Sequence, residues 1–291
     1  MNLLQGKVAA VLGASAEGGT GWAIAEALAD AGAKVLVGAR SHAPLEVLAE
    51  RIGGMAQVCD VRSEAQVAAL ATAALERYGQ LDIAVNAAGL PVMGLIDDLD
   101  DESLHSALSV NYLGNVYFVR HMARAIGTGG SITLVTSLST THPLLPHVAY
   151  ACAKAGTDCL VRYAAMEYGP RNIKVNSIQP GPILSDMSRT LFEDRNMMRV
   201  FEKEIPMGRI GYPKDFADAA VWLSGPAYIT GANLPICGGN QLGRFPYMNE
   251  LPGADAAWVD KGVTLYDRQQ SSNGAESGTR PRRVESNGNV T

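Results

Sequence analysis

A chain of 291 residues with 47% hydrophobic content can bury a substantial core, and one α/β domain followed by a tail is the economical reading of that length. Its formal net charge of −5 repels phosphate backbones and excludes a nucleic-acid partner, while the absence of any run near the ~18 apolar residues of a membrane span excludes a membrane one. The four cysteines form no CxxC pair and have no zinc-type spacing with the five histidines, so they read as reduced thiols filling apolar space in a cytoplasmic protein without a metal.

From Lys7 to about Ile236, short runs rich in Val, Ile, Leu and Ala alternate with longer amphipathic stretches. That alternation predicts a doubly wound α/β fold, a parallel sheet of about seven strands with crossover helices on both faces. The first strand is Val8–Leu12; it lacks a cationic flank and a cleavage site and runs into a glycine-rich turn, so it is not a signal peptide. A helix near Trp22–Ala31 follows, then strands Val35–Gly38 and Ala56–Cys59, and a helix over Glu64–Tyr78 with Ser63 and Gln66 in capping-box spacing. Next come strand Ile83–Val85, one helical stretch over Ser103–Ile126, strand Ser131–Val135, helix Tyr150–Tyr168 and strand Lys174–Ile178. The strands are mostly continuous apolar runs, as burial on both faces requires.

The stretch Ile183–Met207 mixes Met187, Leu191, Phe192, Met197, Met198 and Phe201 with charges, as a substrate-covering segment or an ordinary packed helix pair would. Helix Asp215–Leu223 and strand Leu234–Ile236 close the series. Residues 1–240 are therefore expected to form the catalytic domain and 241–268 a packed extension. Residues 269–291 are nearly devoid of apolar side chains and are expected to be disordered, because they have nothing to bury against their ordering entropy.

The turn Gly13-Ala-Ser-Ala-Glu-Gly-Gly19-Thr-Gly21 ends a strand and opens a helix. Glycines there allow positive φ and close approach of a pyrophosphate to the positive end of the helix dipole. Further along stand Cys59-Asp60-Val61, Asn86-Ala-Ala-Gly89, Val110-Asn111, Ser137, Tyr150-Ala-Cys-Ala-Lys154 and Gln179-Pro180-Gly181, in that order. This ordered set, spanning about Leu4 to Gly239, resembles the short-chain dehydrogenase/reductase family and implies its Rossmann-type fold. The resemblance implies cofactor contacts from Gly13, Ser15, Gly19, Thr20, Gly21, Arg40, Asp60, Val61, Asn86, Ala87, Gly89, Tyr150, Lys154, Pro180, Gly181 and Ile183. Asp60 would accept from the adenine amine, and the Asn86–Gly89 turn would stiffen the central strands. The glycine loop carries two residues more than the family's common Gly-x3-Gly-x-Gly; that length, with Trp22, resembles the enoyl-acyl-carrier reductase branch.

A carbonyl reductase must deliver a proton to oxygen as hydride reaches carbon, and a tyrosine does so near neutral pH only if its phenol pKa is lowered. Tyr150 and Lys154, at i and i+4, share a helix face, so the ammonium is placed to stabilise a tyrosinate. The resemblance adds three roles: Lys154 bonds the nicotinamide ribose, Ser137 orients the substrate oxygen, and Asn111 holds a water linking Lys154 to solvent. Ser139, Thr140 and Thr141 are set aside by spacing, and His142 and His147 are read as loop residues. The Y-x6-K spacing of the enoyl branch would need tyrosine at His147, so alcohol/carbonyl chemistry is favoured over C=C reduction. The complete Asn/Ser/Tyr/Lys set argues against a non-catalytic cofactor sensor.

By family position Leu90, Pro91, Met93, Leu138, Leu144, Pro182, Ile183 and Met187 would line a mostly apolar pocket for a small-molecule substrate. At the end of the second strand, Ala39 stands where NAD-preferring relatives carry an acid, and Arg40 follows as in NADP-preferring ones, although Glu17 occupies a loop position where NADP-specific relatives often carry a base. NADP is favoured over NAD. The resemblance also implies a homotetramer packed through the Ser103–Ile126 and Tyr150–Tyr168 helices.

Overall fold

The computed structural model describes residues 3–253, in two compact units, Met1–Pro246 and Tyr247–Thr291. Of the second, the described residues contain a single 3-10 turn, Met248–Glu250. In chain order the first unit runs β1 (Val8–Leu12), α1 (Thr20–Asp30), β2 (Lys34–Ala39), α2 (His42–Ile52), β3 (Met55–Val58), α3 (Glu64–Tyr78) and β4 (Ile83–Asn86). It continues with α4 (Asp101–Leu108), α5 (Gly114–Ile126), β5 (Gly130–Val135), α6 (Val148–Tyr168), β6 (Ile173–Pro180), α7 (Arg189–Phe192), α8 (Arg195–Glu202), α9 (Pro213–Ser224) and β7 (Asn233–Ile236).

All seven strands are parallel, in the order β3-β2-β1-β4-β5-β6-β7. Alternation along each strand sends side chains to opposite faces. In β1, Ala10 and Leu12 join a core with Leu70 of α3, Phe118 of α5 and Val161 of α6, while Ala9 and Val11 join one with Trp22 of α1, Leu45 of α2 and Phe216 of α9. Two hydrophobic layers thus clamp one sheet, as the apolar runs predict. The winding reverses after β3, where the chain crosses to β4 on the other side of β1, so the carboxyl ends of β1 and β4 bound the crevice where such sheets bind ligands.

Three expectations change. The helix α2 is an element the strand and helix expectations did not include; Leu45, Leu48 and Ala49 are buried along one face at i, i+3 and i+4, just after Pro44 in the first turn. The predicted single helix over Ser103–Ile126 is interrupted by a π-turn at Ser109–Leu113, which turns Asn111 fully inward between α4 and α5. The first unit also extends past residue 240 to Pro246, because Asn240 is fully buried, donating to the carbonyls of Glu204 and Arg244, and Phe245 is buried. The remainder of the expected extension from 254, and all of 269–291, lie outside the described residues. Ser63 does cap α3, accepting from the Gln66 amide, but the Gln66 side chain accepts from the Asp60 amide instead of closing the box.

Ending the chain after Gly239 removes both Asn240 and Phe245 and is expected to destabilise the first unit by about 2–4 kcal/mol, the range for a lost buried aromatic with its hydrogen bonds. Ending it after Pro246 retains these contacts, and thermal melts of the two truncations give the comparison.

Candidate functional site

The parallel register aligns the carboxyl ends of the central strands, with Leu12 beside Gly38 and Asn86, Asn86 beside Leu134, and Val135 beside Ile178. The glycine turn, the Asp60, Asn86 and Ser137 segments and Pro180-Gly181 leave the sheet at that edge, and Asn111 and Tyr150–Lys154 come from helices packed on it. Gly13 has φ +89°, and a Cβ there would lie 2.4 Å from the Ala88 amide nitrogen; one at Gly21 would lie 2.2 Å from the Gly13 carbonyl oxygen. Only glycine lets the loop fold this tightly onto the Asn86 turn. No side chain caps α1 at Gly19, so its first amides face the crevice edge between Ser15 and Thr20 without a side-chain acceptor. Asn86 secures the neighbouring turn, accepting from the Ala88 amide at 3.0 Å and donating to Asn115 Oδ1 at 2.9 Å, and the Ala87 amide donates to Leu12.

At the end of β2, Ala39 is buried and Arg40 is exposed, with no ion pair among the described residues. Asp60 is engaged by the Arg62 side chain and amide; these, with a smaller contribution from Arg40, hold its carboxyl below the usual range. Val61 packs against Gly114 at the π-turn. Glu17 of the glycine loop is paired: Arg51 of α2 reaches it at 3.4 Å, pairs with Glu26 at 3.0 Å and lies 5.4 Å over the Trp22 ring. The unforeseen α2 is why Arg51 was not read from the sequence. Arg189 was missed as well; its Nη2 is 3.6 Å from where a Gly18 Cβ would be. On the far side, Pro180 pairs with Ile236, Gly181 packs against Cys237, and Ile183 bridges to Gly211. This uncapped helix end over a glycine turn fits the phosphates of a dinucleotide.

Ser137 lies two residues past the end of β5 and caps a 3-10 turn, while Tyr150 and Lys154 come from successive turns of α6. Ser137 Oγ accepts from the Ser139 amide at 3.2 Å and hydroxyl at 2.9 Å and shares a hydrogen bond with the Tyr150 hydroxyl. Ser139, set aside on spacing, therefore orients the serine that spacing selected. Lys154 is 2% exposed; its Nζ donates to the Val135 carbonyl at 2.7 Å and lies 5.7 Å from the Tyr150 ring centroid. Asn111 exchanges both bonds with Leu90, at 3.1 and 2.9 Å, and its own carbonyl is taken by Thr157 at 2.6 Å and Asn115 at 2.9 Å. The side chain of Asn111 still approaches Lys154: a Cβ at Gly89 would lie 3.5 Å from Asn111 Oδ1 and 3.6 Å from Lys154 Nζ.

The expected lowering of the Tyr150 pKa is not present in the protein chain itself. Burial pushes the phenol up to about 12, with the Ser137 hydrogen bond opposing and Asp158 adding to the rise. Burial also pulls Lys154 down to about 8, against the field of Asp158. Both groups lose hydration, and the ammonium spends a hydrogen bond on Val135, so desolvation outweighs their mutual effect. The pocket lining also differs from expectation. Leu138 is fully buried in the core and Met93 is 63% exposed, whereas Leu90, Leu144, Pro182 and Ile183 are partly buried; the Met187 side chain lies outside the described residues. His142 bonds the Gln241 carbonyl, and His147 lies edge-on to Tyr150 at 6.3 Å. A cavity of about 1020 Å³ opens at the opposite, amino-terminal end of the strands beside Lys7, Asp82 and Lys174 and contains none of these groups.

A family model described as enoyl-(acyl carrier protein) reductase matches residues 13–241. D-threitol dehydrogenase of Mycolicibacterium smegmatis is 35% identical over 249 residues, 81% of this chain and 93% of the relative. 7alpha-hydroxysteroid dehydrogenase of Escherichia coli is 32% identical over 255 residues, 81% and 94% of the two chains. Among solved structures, a variant actinorhodin polyketide ketoreductase with NADPH matches with a TM-score of 0.75 at 28% identity, over 81% of this chain and 97% of that one.

Because folding lowers the Lys154 pKa from 10.5 to about 8, the unfolded chain binds more protons between those values and stability rises with pH across that window. Wild type is expected to gain about 2 kcal/mol over Lys154→Met between pH 7 and pH 10, read from denaturant melts of the two proteins side by side.

Proposed function

Since the chain belongs to the short-chain dehydrogenase/reductase family and is an NAD(P)-dependent oxidoreductase of alcohols and ketones, we propose that it interconverts a secondary alcohol and a ketone on a mostly apolar substrate, with Tyr150 as acid/base. The observation that carries this reading is the convergence of Ser137, Tyr150 and Lys154 at the carboxyl edge of β5, beside the uncapped α1. When bound, the nicotinamide cofactor supplies or takes the hydride. Gly13, Ser15, Gly19, Thr20 and Gly21 would receive its phosphates, Asp60 and Val61 the adenine, and Asn86, Ala87, Gly89, Pro180, Gly181 and Ile183 the nicotinamide half.

Ser139 donates twice to Ser137 Oγ and fills its acceptor sites, so the one Ser137 hydrogen is left for the Tyr150 hydroxyl or, once bound, a substrate oxygen beside it. In the reducing direction Tyr150 gives its proton to that oxygen. A phenol near 12 is protonated at neutral pH, the form this step requires, and the neighbouring ammonium of Lys154 offsets the phenolate charge as it develops. Lys154 would also bond the nicotinamide ribose. The gap over Gly89, bounded by Asn111 Oδ1 and Lys154 Nζ, has the size of a methyl group and would hold the water that passes protons to Lys154. The Asn111 carbonyl is unavailable for that water, since Thr157 and Asn115 fill it.

Arg40 supports NADP as the preferred cofactor: it is exposed at the end of β2 with no ion pair among the described residues, Ala39 supplies no competing acid, and Glu17 is paired with Arg51. A homotetramer is supported by apolar side chains exposed on α4, the π-turn and α6, among them Leu108, Leu113, Tyr163 and Met166. Among the described residues no helix is long and apolar enough to cross a membrane.

Tyr150→Phe is expected to lower turnover by ~10² or more on whichever secondary alcohol or ketone proves active, with cofactor affinity nearly intact. The screen includes an enoyl thioester, and turnover of that compound alone would replace carbonyl chemistry by C=C reduction. Arg40→Ala is expected to weaken NADP binding by about 1.5–3 kcal/mol and leave NAD unchanged, measured by cofactor fluorescence. Equal losses for both cofactors would assign Arg40 no part in the choice.

A further inference from the structure

Asp158 is a buried carboxyl group that the reaction just described does not use. It is 6% exposed and lies on α6 one turn beyond Lys154 and two beyond Tyr150, at i, i+4 and i+8 of the same helix. Such a group is seldom buried without a cation. Among the described residues, Asp158 has no ion pair.

Its local partners are neutral and few. Gln179 Nε2 on β6 donates to Oδ2 at 2.8 Å. Ser177 Oγ, also on β6, is 3.3 Å from Oδ1, but that hydroxyl has one proton and is 2.8 Å from Asn233 Oδ1 on β7. The Asn233 amide is turned the other way, donating to the Asp158 backbone carbonyl at 3.2 Å. One firm donor leaves most of a buried negative charge uncompensated. On α6 itself the titratable groups along this face are Tyr150 and Lys154. Lys154 meets only neutral groups from the other elements packed on it: the Val135 carbonyl from β5, and Asn111 and Gly89 across the gap. The two buried charges therefore compensate each other through the helix, and the fields of Asp158 on both Lys154 and Tyr150 have the sign this requires.

A second link runs through hydrogen bonds. Gln179 Nε2 also donates to Thr140 Oγ1 at 3.0 Å, and Thr140 Oγ1 donates to the Ser137 carbonyl at 3.0 Å, so the carboxylate anchors the amide that holds the turn bearing Ser137.

We infer that Asp158 is a positioning residue of the reaction, the buried counter-charge that keeps Lys154 protonated and, through Gln179 and Thr140, holds Ser137 in place. The inference rests on the assignment of Tyr150 and Lys154 given above. Asp158→Asn keeps the shape and removes the charge. It is expected to move the alkaline limb of kcat, and the alkaline loss of cofactor affinity measured by fluorescence, to lower pH by about one unit or more. Asp158→Glu should return the midpoint most of the way. Midpoints within 0.2 of a pH unit of wild type in Asp158→Asn, read by either method at about that precision, would overturn the inference. Lys154→Met separates the two readings: if it too leaves the profile unmoved, the assignment of Lys154 fails, and if it abolishes the limb while Asp158→Asn does not shift it, only the role of Asp158 fails. Should Asp158→Asn not fold, infrared spectra of the wild type titrated from about pH 6 to 10 replace it. A carboxylate band that responds in wild type and not in Lys154→Met supports the coupling, and a band indifferent to pH in both overturns it.

Discussion

The ammonium of Lys154, 2% exposed and 2.7 Å from the Val135 carbonyl, sits where α6 presses on the end of β5. Water would hydrate that charge better than the interior does, and its pKa near 8 records the difference. The surrounding groups follow from the need to hold it there. Glycine at 89 leaves open the space in front of it, the π-turn brings Asn111 Oδ1 to the far side of that space, and the Asp158 carboxylate stands behind it on the same helix. In the proposed reaction a lysine so placed is a cost in stability accepted for chemistry, because a tyrosine beside it would acquire a partner for the charge it carries in the transition state.

The sheet makes this arrangement rigid. Seven parallel strands in register end together, and each turn at that edge is tied to the next by a buried polar bond: Gly13 to Gly38, Ala87 to Leu12, Asn86 to Asn115, Thr136 to Ile178. The site residues stand on strand ends and on one long helix, so their spacing is set by packing of the two hydrophobic layers and little by loop conformation. The α1 end differs. There the loop is two residues longer than the common pattern, and its shape depends on Arg51 reaching from α2 to Glu17, Glu26 and the face of Trp22. Each of these surface pairs is weak alone, and together they give the loop's one carboxylate a cationic partner.

Most of the fold was legible in the sequence because strands buried on both faces must be apolar throughout, and β1, α3 and the edges of the other strands lie where the apolar runs and turn residues put them. The helix α2, with Pro44 in its first turn, was not foreseen, and local period fails where one extra residue widens a helical turn, as at Ser109–Leu113. Tyr150 and Lys154 were readable because helical spacing alone brings them together. Ser139 was not, because only its bonds to Ser137 single it out among neighbouring hydroxyls, and the bridging of Gln179 to Asp158 and Thr140 and the approach of Arg51 and Arg189 to the glycine loop join elements remote in sequence.

What the sequence by itself determined is the layer order, the glycine turn and the ordered set Asn111, Ser137, Tyr150 and Lys154, all of which depend on spacing within single elements or on the continuity of apolar runs. Only the tertiary structure decided the electrostatics. Tyr150 rises and Lys154 falls because α6 buries both against β5, the carbonyl of Asn111 is closed by Thr157 from another helix, and Asp158 reaches the Ser137 turn only through Gln179 of β6. The energy of a charge is set by everything within several ångströms of it, and a sequence does not state which neighbours those are until the chain has folded.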